Sequence, residues 1–142
     1  VSAGGAGWEH FETEADVGVH AWGATRAEAF AQAALGVFAL IVRPDEVAER
    51  ECREVRAQAD SPERLLASWI NECLYVHEIE GFVVHRVDVD AWTATHLHAT
   101  LHGEEMDPGR HRPGTIVKAA TMHGLVVDER DGQHHVSVIV DV

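Results

Sequence analysis

Leu125-Val126-Val127-Asp128-Glu129-Arg130-Asp131-Gly132-Gln133-His134-His135-Val136-Ser137-Val138-Ile139-Val140 is the stretch whose reading decides the fold. Asp-Gly is a preferred centre for a two-residue hairpin turn, because both central positions of that turn take positive φ. Beyond it Val136, Val138 and Val140 recur at every second position, the period of a strand with one buried face. Residues 124–130 and 133–140 therefore read as a β-hairpin. Upstream, the segments 82–90, 92–103 and 115–122 carry the same alternation or valine enrichment and read as three more strands.

Nearer the start the period changes. Asp16-Val17-Gly18-Val19-His20-Ala21-Trp22 is a period-two strand ended by Gly23. Thr25 followed three residues later by Glu28 makes a capping box, and Ala27, Phe30, Ala31, Ala34, Leu35 and Phe38 follow at helical spacing, so 26–41 reads as an amphipathic helix stopped before Pro44. The charge-rich segment 46–59 reads as an exposed strand. Asp60-Ser61 supply N-cap oxygens, Pro62 suits a first turn, and Leu65, Leu66, Trp69, Ile70, Cys73 and Leu74 form the stripe of a second helix, closed by Gly81. Two early helices and a later run of strands describe an α+β domain, with two helices packed on a largely antiparallel sheet. At 142 residues the chain has the length of one domain, taken as 8–142 behind a loose Gly/Ala-rich segment 1–7.

Charge narrows the function classes. Asp and Glu number 24 against 11 Lys and Arg, a net charge of −13, and ten of the eleven basic residues are Arg; the one lysine is Lys118. Sequence-independent binding to DNA or RNA draws its affinity from basic side chains releasing counterions, so direct nucleic-acid contact is excluded as the main activity. Attraction to an anionic membrane is excluded on the same ground. The sequence has no apolar run long enough for a transmembrane helix, and its start lacks the basic and apolar regions of a signal peptide, which reads as a cytoplasmic protein. Cys52 and Cys73 form no Cys-x-x-Cys and read as reduced thiols. No phosphate-cradling glycine loop and no Gly-x-Ser-x-Gly elbow is present.

Three groups of residues invite a chemical reading. His96, His98 and His102 fall on one face of a strand, the polar one, and read as a solvated stripe rather than a zinc site. Asp16, Asp141 and the carboxylate of Val142 would form a set of hard oxygen donors if the first and last strands met, the kind that suits Ca²⁺ or Mg²⁺; as solvated surface acids they would bind nothing. Lys118 sits in Thr115-Ile116-Val117-Lys118-Ala119-Ala120-Thr121-Met122 with almost no other charge. It is either an edge lysine guarding against aggregation or a compact ammonium that the planar guanidinium of Arg cannot replace. The segment 107–114, with Arg110, His111 and Arg112, reads as an exposed loop.

Five ordered motifs then carry a resemblance across nearly the whole chain. They are Trp8-Glu9-His10-Phe11 leading to Ala15-Asp16-Val17-Gly18; Trp69-Ile70-Asn71-Glu72-Cys73-Leu74-Tyr75; Gly103-Glu104 with Asp107-Pro108-Gly109-Arg110-His111; Val117-Lys118-Ala119-Ala120-Thr121-Met122-His123-Gly124; and the ending Val138-Ile139-Val140-Asp141-Val142. The chain resembles an archease. The resemblance implies a non-catalytic accessory protein that activates a GTP-dependent RNA ligase of the RtcB type, which joins 3′-phosphate or 2′,3′-cyclic-phosphate ends to 5′-hydroxyl ends in tRNA splicing or RNA repair. It implies that the helper promotes guanylylation of the ligase and its multiple turnover, touching RNA only through the ligase. It further implies a divalent-metal site at Asp16, Asp141 and Val142, with Ca²⁺ the expected ion and Mn²⁺ or Mg²⁺ as alternatives, and a ligase-activating role for Lys118 beside Asp16 and Asp141. His123 is a candidate for the partner-facing surface. Thr13-Glu14 stands where the family commonly has His-Thr, which puts Glu14 forward as an extra cation ligand. A small metal-dependent phosphoesterase and a metal-free chaperone-like domain are the competing expectations.

Overall fold

The computed structural model describes residues 5–13 and 15–142. Strands β1 (Gly7–Glu12) and β2 (Val17–Gly23) come first, then α1 (Arg26–Ile41), a 3-10 turn at Pro44–Glu46, β3 (Glu51–Gln58) and α2 (Pro62–Glu80). After these come β4 (Phe82–Trp92), β5 (His96–Glu105), β6 (Ala119–Ala120), β7 (Val126–Arg130) and β8 (Gln133–Asp141). The α+β class and the antiparallel pairing are as expected. The expected single sheet is not, because the strands form two. One runs β1-β2-β8 and fills the far edge of β8 with β7 along its first half and β6 at its end; the other runs β3-β5-β4.

Both helices lie between the sheets, α1 touching β1, β2 and β8 on one side and β4 on the other. The composition of α1 explains this. Its buried residues, Ala29, Phe30, Ala31, Ala33, Ala34, Gly36, Val37, Phe38 and Ile41, leave little of its circumference polar, and a helix apolar on several sides must be covered on several sides. Trp69 of α2 fills the centre, fully buried, its indole N–H donating to the Phe30 carbonyl at 2.9 Å.

Local signals act as their chemistry dictates. Thr25 caps α1 through its hydroxyl at 3.1 Å from the Glu28 amide, and Glu28 reaches back to the Ala24 amide. Ser61 caps α2, and Gly81 ends it in the left-handed region at φ 65°. Asp131 and Gly132 both take positive φ, 53° and 77°, as the two-residue hairpin turn requires.

Four further differences have physical causes. β1 was not expected as a strand; it is held by β2 and by the His10 ring, whose Nε2 bonds the Gly36 carbonyl at 2.8 Å. Gly7 opens β1, so the expected loose segment 1–7 overlaps the strand by one residue, and residues 1–4 lie outside the described part. Segment 46–59 contains a strand only from Glu51, and that strand is not merely exposed: Val55 and Ala57 are buried on its helix-facing side. Segment 115–122 is a strand only at Ala119–Ala120. The Gly114 and Thr115 amides instead donate to Ile41 and Leu40, satisfying carbonyls left open at the end of α1.

Candidate functional site

The pairing of β2 with β8 brings the chain's two distant acids together. Val17 pairs with Val140, so Asp16 and Asp141, next in that register, stand abreast at one end of the larger sheet. Val138 and Val140 face the helices and are buried; one residue out of phase with them, Asp141 is exposed and Asp16 is half-buried. Thr13 fixes the turn before Asp16: its hydroxyl accepts from the Asp16 amide at 3.0 Å and donates to the Asp16 carbonyl at 3.1 Å. Glu14 lies outside the described residues.

Lys118 reaches the same end from the other side of β8. Its amide donates to the Asp141 carbonyl at 2.8 Å, and the Thr121 amide donates to Ile139 at 2.8 Å. Asn71 of α2 locks the segment, its side-chain oxygen accepting the Ala120 amide at 2.8 Å. Asn71 was quoted only as part of a motif; its role becomes visible once α2 is seen beside β6. Lys118 itself is exposed, yet it lines a cavity of about 420 Å³ with Ile41, Leu74, His77, Glu78 and Ile116. Among the described residues, Asp16, Asp141 and Lys118 make no salt bridge. His123 is exposed in the turn after β6, where the Thr121 hydroxyl accepts its amide at 3.3 Å.

Two carboxylates on adjacent strands, with the main-chain oxygens of Asp141 and Val142 beside them, make an all-oxygen donor set of the kind that fits a hard divalent cation better than zinc. Among the described residues no three His, Cys, Asp or Glu side chains converge on one point. A cation here would therefore need main-chain oxygen and water to complete its shell.

The motif around Glu104 belongs to the scaffold. Glu104 and His111 are 3% and 2% exposed. Glu104 accepts the Ala48 amide at 2.7 Å and His111 Nε2 at 3.0 Å, and Arg110 and Arg50 also pair with it. The Asp107 amide donates to His111 Nδ1 at 2.9 Å, which leaves Nε2–H as the donor to Glu104. Burial pushes the Glu104 carboxyl up, but the Ala48 amide, Arg110 and His111 outweigh it and bring it down to about 2. The expected exposed loop 107–114 is found with one exception: His111 is buried, and Arg110 beside it is engaged with Glu104. The reason is a buried carboxylate in β5 that must be paired.

The histidine stripe lies on the outer face of the smaller sheet. His98 pairs with Glu54 at 2.9 Å and His102 with Asp88 at 3.0 Å, while His96 bonds the neighbouring Thr95 hydroxyl at 2.9 Å. Exposed pairs of this kind contribute about 0–1 kcal/mol each. Replacing all three histidines by Gln is expected to leave any activity at the Asp16 end unchanged and to lower stability by no more than about 2 kcal/mol, as read by urea denaturation. Loss of activity in a folded triple variant would contradict the assignment of this face as a solvated surface. Cys52 and Cys73 are free thiols, Cys52 exposed and Cys73 buried, and burial pushes the Cys73 thiol well up.

Comparison with known proteins uses the same elements. The archease protein family model matches residues 8–142, from β1 through β8. The chain belongs to the archease family. An archease from Thermococcus kodakarensis is 37% identical over 139 residues, covering 95% of this chain and 98% of that protein, and an archease-like protein from Drosophila melanogaster is 29% identical over 140 residues. The solution structure of Methanobacterium thermoautotrophicum protein 1598 superposes with a TM-score of 0.79 at 32% identity, covering 96% of this chain and 99% of that one. The crystal structure of an archease, possible chaperone, from Thermotoga maritima shares the fold at a TM-score of 0.63 and 17% identity. The archease match thus spans Asp16, Lys118, Asp141 and Val142 in one alignment. No helix among the described residues is long and apolar enough to cross a membrane.

Proposed function

We propose that this protein is an accessory factor, without catalytic activity of its own, that activates a GTP-dependent RNA ligase joining 3′-phosphate to 5′-hydroxyl ends. The observation that carries this reading is the meeting of Asp16, Asp141 and Lys118 at one sheet end: two acids abreast across β2 and β8, and the chain's one lysine a single backbone hydrogen bond away. Family membership supports a helper role, and the chaperone wording attached to the Thermotoga maritima relative is consistent with action on a partner protein.

The residues would divide the work. Asp16 and Asp141, with main-chain oxygen from Val142, hold a divalent cation, Ca²⁺ being the expected ion and Mn²⁺ or Mg²⁺ also suited to the donors. When bound, that cation supplies positive charge beside the partner's nucleotide site. Lys118 presents a compact ammonium to phosphate or to an active-site carboxylate as charge develops during guanylylation of the ligase. The net charge of −13 complements the basic groove that a ligase gripping RNA ends must have, so raised salt should weaken docking.

The test is joining of 3′-phosphate RNA by the cognate ligase at substoichiometric enzyme, with GTP, with and without this protein. Multiple turnover only in its presence is the expected result; phosphoester turnover by the protein alone would replace the accessory reading with a hydrolase. Asp16→Asn combined with Asp141→Asn is expected to weaken Ca²⁺ binding by about tenfold or more, since even indirect supports of a metal ligand are worth that much. The double variant should also lose stimulation. Wild-type Ca²⁺ affinity measured calorimetrically in that variant would remove the cation from the proposal.

A further inference from the structure

Four of the exposed large apolar residues stand on the two elements that border the Lys118 cavity, α2 and the segment 115–122. Tyr75 and Ile79, 60% and 63% exposed, stand one turn apart on the outer side of α2. Ile116 and Met122, 80% and 59% exposed, stand on the segment that carries Lys118. The two groups are not independent flaps: Asn71, one turn before Tyr75, holds Ala120 through the bond described above. The cavity of about 420 Å³ lies between these two elements, lined by Leu74 and Glu78 from α2 and by Ile116 and Lys118 from the facing segment; Tyr75 and Ile79 are the chain neighbours of Leu74 and Glu78 at its border. Single exposed apolar residues need no explanation, but exposed apolar side chains on both elements that border a preformed cavity mark a surface that another molecule covers.

Charge identifies the occupant. Glu78 is exposed at the cavity, and Asp16 and Asp141 stand at the far end of the segment, so acids lie on both sides of the apolar surface. A second copy, itself carrying −13, would meet these acids with like charge, and a bare RNA strand would be repelled by them. An apolar protein segment with a basic surround fits.

We infer that the Tyr75, Ile79, Ile116 and Met122 surface with its cavity is the anchor by which this protein docks on the RNA ligase, an apolar side chain of the ligase entering beside Lys118. The inference rests on the accessory reading above and deepens it: docking energy comes from the apolar anchor, whereas activation comes from Asp16, Asp141 and Lys118. The two functions are adjacent but separable.

The experiment measures the affinity of this protein for the cognate ligase and its stimulation of joining as a function of concentration. The variants are Tyr75→Ala with Ile116→Asp, and separately Ile79→Asp, all on exposed side chains and each checked for native circular dichroism and thermal midpoint. The anchor requires Kd to weaken by about tenfold or more, as loss of a buried aromatic or aliphatic anchor does, with stimulation at saturation close to wild type. Unchanged Kd in folded variants that still stimulate overturns the anchor and leaves the accessory reading standing. A wild type that neither binds nor stimulates the ligase overturns the accessory reading itself. A self-associating wild type that the same substitutions turn into a monomer assigns the surface to a second copy, and crosslinking of RNA to Tyr75 without ligase assigns it to nucleic acid; either result overturns the proposal.

Discussion

Lys118→Ala should retain the fold and the affinity for the ligase while losing most of the stimulation at saturating concentration, on the order of 10²-fold in the activated rate. That is the magnitude lost when one preorganised donor to a developing charge is removed. The side chain is exposed and makes no salt bridge among the described residues, so its removal takes away little that stabilises the protein. Its backbone, which bonds Asp141, is untouched by the substitution. Lys118→Arg is the sharper control. It keeps the charge but spreads it over a planar fork, and it should restore only a small part of the stimulation if a compact ammonium is what the partner's site accepts. Equal stimulation by wild type and Lys118→Ala across the concentration range would leave the lysine as an edge residue and nothing more.

Glu104→Ala should be the most destabilising single substitution outside the apolar core, at about 3–5 kcal/mol, because it leaves Arg110, His111 and the Ala48 amide without the carboxylate they surround. Urea unfolding at pH 7 measures this directly; a loss under about 1 kcal/mol would show that solvent already satisfies the group. The pH dependence has a definite sign. The folded carboxyl titrates near 2 against an ordinary value of 4.5, so its contribution is complete above about 4.5 and is lost as pH falls from there towards 2. Wild type should shed that part of its stability over this acid window, and Glu104→Ala should lack it.

Reading the sequence succeeded where one residue type has one use. Asp131-Gly132, the Thr25 and Ser61 caps and Gly81 each demand a local geometry, and each adopts it. It fell short where long-range contact decides. Nothing local in 7–12 marks a strand, because β1 owes its form to β2 and to the bond from His10 to α1. The second sheet was hidden because the stripe along α1 is counted on one side only, whereas burial runs most of the way round. Segment 115–118 has strand-like composition, but the Thr115 amide, like that of Gly114, goes to a free carbonyl at the end of α1, and bonding to β8 starts only at Lys118.

The candidate site divides in the same way. The expectation that Asp16 and Asp141 carry chemistry came mainly from resemblance; that they stand abreast follows from the register of Val17 on Val140. Glu104 and His111 were quoted as motif residues without a role, since a carboxylate and an imidazole seven positions apart do not announce that a tight loop folds one onto the other. Asn71 was equally silent until α2 and β6 were seen side by side.

The placement of β8 has a consequence for how the molecule is made. This strand is central to the larger sheet, yet it is encoded by residues 133–141, and its main neighbour β2 lies more than a hundred positions earlier. During synthesis β1, β2 and α1 emerge with their principal partner still unmade, and closing so long a loop is among the slow steps of folding. Until it closes, Asp16 has no Asp141 beside it and Lys118 has no strand to bind. The end proposed to act on the ligase is therefore completed last, and a chain interrupted before β8 lacks the strand that aligns Asp16, Asp141 and Lys118.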